Sequence, residues 1–285
     1  MTDVPRMLRE PRTPWPDWID EPTKTPAPLN GAAAVVTFIG HSTILIQTPS
    51  GNVLTDPMFS RRAGPWNLAG PRRVRAPGVR FDDLPPISAV LVSHNHYDHC
   101  DLRTLRALAK RFDPHVVTPL GNRRLLESAH LRRIEELDWW QSSDSAPISM
   151  TLTPAHHFSA RGILDRNRAL WGGFVIAAAT RRIYFAGDTD VFDGMRDLGR
   201  IDVALLPVAG WGPRLPPGHL DPLRAAEALD LIKPRVAIPI HWGTYSPWKA
   251  PTPSDAAMKF AEIAATVAPA VDVLVLSPGQ SYALD

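Results

Sequence analysis

Short apolar runs recur along the chain at 35–39, 44–48, 53–55, 89–93, 116–118, 148–153, 173–178, 182–186, 202–207, 236–240 and 273–276. Several are continuous rather than alternating, as expected of strands covered on both faces. Helical periodicity is rarer. Residues 101–112 place Leu102, Leu105, Ala109 and Phe112 on one stripe. Asp221-Pro222 reads as a helix cap with proline at the first helical position, followed by Leu223, Ala226 and Leu229. Thr252-Pro253 repeats that signal ahead of Phe260, Ile263 and Val267. Early strands are joined by short turns such as Pro49-Ser50-Gly51, which predicts antiparallel hairpins. Later strands are separated by helices, which predicts crossovers. Two sheets with helices outside fit this order better than one doubly wound sheet. Segment 58–84 is irregular and rich in Pro, Gly and Arg, and a loop of that size is often functional.

Composition narrows the class. With 285 residues, 44% of them hydrophobic and 21% charged, the chain is expected to be globular with a sizeable core. No apolar run is long enough to cross a bilayer. Residues 1–31 lack the apolar stretch of a secretory signal and read as a proline-rich arm before a domain at 32–285, with Trp15 and Trp18 packing on that domain. The single cysteine, Cys100, excludes an intramolecular disulfide and fits a reducing cytoplasm. The net charge is only +2, and arginine pairs are separated by acidic residues, which speaks against a nucleic-acid partner.

The chemistry concentrates in Ser93-His94-Asn95-His96-Tyr97-Asp98-His99, directly after the apolar run at 89–92 and before the helical stripe. In an extended segment His94 and His96 point the same way and can share one metal. Asp98 and His99 fall at the turn into the helix, where they can face a second metal. Imidazole and carboxylate together suit zinc and similar ions. Further donors are expected at other strand ends: His156-His157, Asp188 and His241. Together they supply a three-histidine site, a second site of one aspartate and two histidines, and a shared carboxylate. His41 and Asp56 are candidates for holding ligand imidazoles in one tautomer. Cys100 reads as a small buried hydrophobe.

Gly40-His41-Ser42-Thr43, Thr55-Asp56-Pro57, the His-x-His-x-Asp-His run, Pro154-Ala155-His156-His157-Phe158, Leu170-Trp171-Gly172, Gly187-Asp188-Thr189 and Ile240-His241-Trp242-Gly243-Thr244 together resemble the metallo-β-lactamase superfamily. Within it they resemble the branch of N-acyl-phosphatidylethanolamine phospholipase D and its bacterial relatives. The resemblance implies an α/β fold, the αβ/βα four-layer sandwich. It implies metal ligands His94, His96 and His157 for one ion, Asp98, His99 and His241 for the other, and Asp188 as the bridge. His157 is preferred to His156 because the family's ligand precedes an aromatic residue, here Phe158. His219 matches a family histidine beside the substrate pocket.

These readings predict a hydrolase with two divalent ions, zinc first and manganese or iron as alternatives, in which metal-activated water is the nucleophile. Two divalent cations outweigh the carboxylates Asp98 and Asp188, so an anionic small-molecule or lipid-like substrate is expected, a phosphodiester first. Asp98 is the expected proton acceptor and His219 the expected donor to the leaving group. The alternatives are a lactone or amide hydrolase and, from another class, a di-iron redox protein. Well-known β-lactamases carry cysteine where this chain has Asp188, and flavodiiron proteins carry glutamate at the position of His96.

Overall fold

A computed structural model describes residues 15–143, 148–162, 164–209, 218–246 and 252–285. Among them, the first sheet is built from β1 (Ala34–Gly40), β2 (Thr43–Thr48), β3 (Gly51–Thr55), β5 (Ala89–Leu91), β6 (His115–Pro119), β7 (Arg133–Leu137) and β16 (Ser281–Leu284), in the order β16-β1-β2-β3-β5-β6-β7. The second contains β8 (Ser142–Ser143), β9 (Met150–Thr153), β10 (Gly173–Ala178), β11 (Arg181–Phe185), β12 (Val203–Pro207), β13 (Val236–Ile240) and β15 (Asp272–Val273), in the order β15-β13-β12-β11-β10-β9-β8. A small pair, β4 (Arg72–Arg73) with β14 (Tyr245–Ser246), stands apart. The helices are α1 (Leu102–Phe112), α2 (Arg123–Glu127), α3 (Pro222–Ile232) and α4 (Asp255–Val267).

The continuous apolar runs have a direct physical cause. On β1, Ala34, Val36 and Phe38 enter the large core shared by both sheets, while Ile39 joins a second cluster with Leu105 and Leu108 of α1. On β5, Ala89 and Leu91 face the first core and Val90 faces the second. Alternate side chains thus meet a sheet on one face and helices on the other, so both must be apolar. On the far side, Ala225, Ala226 and Leu229 of α3 and Phe260 of α4 pack into the same large core as β12 and β13. The result is the four-layer sandwich: helices, sheet, sheet, helices.

Local signals behave as their chemistry requires. Asp101 caps α1 by accepting from Arg103 N, and Asp221 caps α3 by accepting from Arg224 N. Hairpins β1-β2-β3 are antiparallel, and the helix-separated strands β11-β12-β13 are parallel. Several expectations need correction. Leu223 is 49% exposed, because it falls on the outer face of α3 while Ala225, Ala226 and Leu229 face inward. Helix α4 starts at Asp255 rather than at Thr252-Pro253, since Thr252 N and Oγ1 both bond the Asp255 carboxylate in a turn before it. Edge strands β7 and β16 are absent from the apolar pattern, because an edge strand with a solvated face needs few apolar residues.

The described part of the arm lies on the domain. Ile19 pairs with Arg75, Asp17 meets Arg72, Glu21 meets Arg75, and Lys24 N donates to Gly78 O. Trp15 packs against the core, but Trp18 is 46% exposed and is not held there as expected. Segment 58–84 is tied down by Arg73, which donates to Met58 O, Ser60 O and the Tyr245 hydroxyl. Among the described residues no helix is long and apolar enough to cross a membrane.

Candidate metal centre

Strands β3, β5 and β6 run parallel in one sheet, and β11, β12 and β13 run parallel in the other. Their C-terminal ends meet along one rim of the sandwich, and every predicted metal-ligand residue lies there. His94 to His99 follow β5, His157 follows β9, Asp188 follows β11, and His241 directly follows β13. Two close approaches make this possible. Gly187, at φ +60, lies so near Ser93 that a β-carbon would stand 2.7 Å from the Ser93 β-carbon. His241 N donates to His41 O at 2.7 Å, tying the rims of the two sheets together.

Two groups of donors result. His94, His96 and His157 form the first: His94 Nε2 is 2.9 Å and His157 Nε2 is 3.2 Å from His96 Nδ1. His41, Asp98, His99 and His241 form the second, with His99 Nε2 and His241 Nε2 3.1 Å apart. Asp188 lies between them. Its Oδ2 is 3.2 Å from His99 Nε2 and 3.9 Å from His157 Nε2, and its Oδ1 is 3.3 Å from His241 Nε2. His219 joins this edge, with Nε2 3.6 Å from Asp188 Oδ2 and its ring 4.8 Å from that of His157.

The partners behind the rings fix which nitrogen faces inward. Ser93 Oγ donates to Asp56 Oδ2 at 2.6 Å, so it accepts from His94 Nδ1 at 2.9 Å. His99 Nδ1 donates to the same carboxylate at 2.7 Å. His157 Nδ1 donates to Gly218 O at 2.7 Å. In the neutral ring each of these protons on Nδ1 leaves the lone pair on Nε2, aimed at the centre. Asp56 fulfils the expected orienting role. His41 acts on a carboxylate instead of an imidazole: its Nε2 lies 3.2 Å from Asp98 Oδ2.

Electrostatics separates the two groups. Burial holds His94 well below the usual imidazole value, and the neighbouring histidines deepen this. Burial lowers His96 to about 4 and His157 to about 3, although Asp98 and Asp188 respectively pull the other way. A proton on His96 Nδ1 can serve the lone pair of His94 or of His157 but leaves the other unmet, whereas one cation accepts a lone pair from all three rings. Nitrogens around a tetrahedral zinc stand roughly 3.3 Å apart, close to the separations found. In the second group burial also disfavours charge, yet Asp188 and Asp98 outweigh it, holding His99 well above its usual value and pushing His241 up to about 9. Burial would raise Asp98 and Asp188, but His99 and His241 hold both well below the carboxylate range. Asp188 Oδ1 nevertheless has no hydrogen bond of good geometry. Two imidazoles, two carboxylates and an orphaned oxygen fit a divalent cation better than they fit protons.

A sequence family described as a beta-lactamase superfamily domain matches residues 51–242. The chain belongs to the metallo-β-lactamase superfamily. An uncharacterized Mycobacterium tuberculosis protein is 36% identical over 81% of this chain and 66% of its own length. The N-acyl-phosphatidylethanolamine-hydrolyzing phospholipase D 1 of Caenorhabditis elegans is 34% identical over 73% of this chain and 64% of its own length. This superfamily member therefore spans just under two thirds of both relatives. A metal-dependent hydrolase of Solibacter usitatus is 30% identical over 74% of this chain and 86% of its own length. Among solved structures, a metallo hydrolase of Ignicoccus hospitalis superposes with a TM-score of 0.68 at 21% identity, covering 88% of this chain and 98% of that one. The chain has the metallo-β-lactamase fold.

Other predicted residues fall away from the centre. His156 is exposed, and its backbone bridges to Asp190. His115 pairs with Glu135, and His130 occupies a left-handed turn at φ +64. Burial pushes the Cys100 thiol up to about 12, so it is no nucleophile. Sequence reasoning missed the parts played by Ser93 and the Gly218 carbonyl. It also missed Phe158 and Arg166. The Phe158 ring lies 4.7 Å from that of His96, and the Arg166 guanidinium sits 4.1 Å over Phe158. Only the aromatic residue beside the His156-His157 pair hinted at this edge.

Proposed function

We propose that the chain hydrolyses phosphodiester bonds with two divalent cations, one held by His94, His96 and His157 and the other by Asp98, His99 and His241. The position of Asp188, within reach of imidazoles of both groups, is the observation that carries the dinuclear reading. The nitrogen and oxygen donors suit zinc, with manganese or iron as alternatives. Bound there, the cations supply Lewis acidity and a water acidic enough to act as nucleophile near neutral pH.

The chain's own groups position and protonate. His41 is buried, and burial lowers it to about 3, so it is neutral and steadies Asp98 through Nε2. The Asp98 side chain is 21% exposed, enough to meet an attacking water and take its proton. His219, with 26% of its side chain exposed, can give a proton to the leaving oxygen. Arg166 adds positive charge over the Phe158 ring, which itself meets His96. The excess of positive charge favours an anionic diester, and the worm relative's name makes a lipid phosphodiester the first natural substrate to try.

Purified, metal-loaded protein should cleave bis(p-nitrophenyl) phosphate faster than a lactone or β-lactam. Efficient lactone turnover with inert phosphodiesters would replace this reading by the carbonyl-hydrolase one. In the same assay His219→Ala should slow alkyl diesters more than nitrophenyl diesters, because nitrophenolate leaves without a proton. Equal slowing of both would remove His219 as the acid.

A separate expectation concerns recognition. Arg166→Ala should raise KM for an anionic diester about tenfold, while kcat and the metal content stay close to wild type. Steady-state kinetics against a neutral ester provides the control. A similar rise in KM for that ester would mean that Arg166 only supports Phe158.

A further inference from the structure

Asp190 and Arg224 have no part in the chemistry described so far, yet they join the segments that carry it. Asp190 is buried, and its Oδ2 accepts from Arg224 Nη1 at 2.7 Å. Among the described residues this is the one ion pair that Asp190 makes. Asp190 Oδ1 already accepts from Val191 N at 2.7 Å. On the backbone side, Asp190 N donates to His156 O at 3.0 Å, and Thr189 Oγ1 accepts from His156 N at 2.9 Å. Segment 188–190 thus grips the backbone one residue ahead of His157.

Arg224 stands in the first turn of α3. Its backbone N donates to the Asp221 cap at 2.8 Å while its side chain reaches Asp190. Gly218 and His219 lie just ahead of that cap. Gly218, at φ +81, is pressed against the histidine pair: a β-carbon there would stand 3.0 Å from His157 Nδ1 and 3.1 Å from His156 O. Its carbonyl accepts from His157 Nδ1 at 2.7 Å. The contacts close a ring that runs from His157 to Gly218, through the α3 cap to Arg224, across to Asp190 and back to His156. Asp188, His157 and His219 each sit on a different segment of that ring. The Arg224–Asp190 ion pair is its one link between two side chains, and a charge-assisted bond to a buried carboxylate is strong and directional.

We propose that Arg224, acting through Asp190, is a positioning residue for the metal centre: it holds the Gly218 carbonyl against His157, so that His157 Nε2 keeps its inward aim. The proposal rests on His157 being a metal ligand. Without Arg224 a buried carboxylate loses its counter-charge and turns towards water. That movement loosens segment 188–190 and the start of α3 together. Removing a partner directly behind a ligating imidazole weakens metal binding roughly ten- to a hundredfold. Arg224 acts one step behind such a partner, the Gly218 carbonyl, so an effect of about tenfold is expected.

Zinc affinity of the full chain, measured by competition with a chelator, tests this. Arg224→Ala and Asp190→Asn should each weaken the binding of one zinc ion about tenfold. Asparagine keeps an acceptor for Val191 N, so what the two variants share is the loss of the ion pair. Arg224→Lys restores the charge and should recover most of the affinity. Arg181→Ala controls for a general loss of stability. Arg181 Nη1 pairs with buried Asp202 at 3.3 Å at the start of β11, whereas Asp188 follows the other end of that strand. That variant should leave zinc affinity unchanged, whatever its effect on the melting temperature. The proposal is overturned if Arg224→Ala and Asp190→Asn both hold zinc as wild type does, or if lysine recovers nothing. It is also overturned if Arg181→Ala weakens zinc binding as much. A wild type that binds no zinc would instead remove the dinuclear reading, and this proposal with it.

Discussion

His157→Ala should lower the metal content from two ions per chain to one and reduce kcat on the order of a thousandfold or more. His157 Nε2 is one of three inward-facing imidazole nitrogens in its group, 3.2 Å from His96 Nδ1. Removing it leaves His94 and His96, too few protein donors for a tightly held four-coordinate ion. The Gly218 carbonyl also loses the donor that it now has in His157 Nδ1. His156→Ala provides the internal control. That side chain is exposed, so metal content and rate should stay near wild type. Elemental analysis and turnover of the two purified variants decide the matter, and the reverse pattern would mean that His157 is not a ligand.

Asp188→Asn should be nearly as damaging for a different reason. The change keeps the shape and removes one negative charge that faces His99, His241 and His157. With two cations in place, that charge offsets both, and its loss is felt at short range in a buried site where screening is weak. At least one ion should bind about a hundredfold more weakly, and kcat should fall by roughly two to three orders of magnitude. Metal titration by competition with a chelator, followed by kinetics at saturating metal, separates the two effects. Unchanged affinity for both ions together with unchanged turnover would remove Asp188 from its bridging position.

Much of the fold was legible along the chain. Strands β10 and β13 fall on 173–178 and 236–240 as the apolar runs predict, and the Asp221-Pro222 cap begins α3. These are buried elements whose composition is dictated on both faces. The misses share a cause. Strand β7, with the sequence RIEEL, buries only Ile134 and Leu137 deeply and carries charge elsewhere, so it shows neither continuous hydrophobicity nor clean alternation. It is a strand because β6 offers it an unpaired edge. Leu223 looks like a core residue by type, yet it is exposed because neighbouring alanines and Leu229 already fill the inner face of α3.

For the centre, the sequence by itself determined which side chains are available and that they stand at strand ends. A donor's chemistry and its place after an apolar run are local properties, readable within a few residues. Tertiary structure decided how those donors are used. It brought His157 inward and left His156 exposed, aimed His41 at Asp98, and made Asp56 the acceptor for both Ser93 and His99. It also placed Asp188 between the two histidine groups. Hydrogen-bond direction, tautomer and charge compensation are set by the atoms that meet in space. Those atoms come from segments as distant as His41 and His241, whose proximity is fixed only when the rims of the two sheets close together.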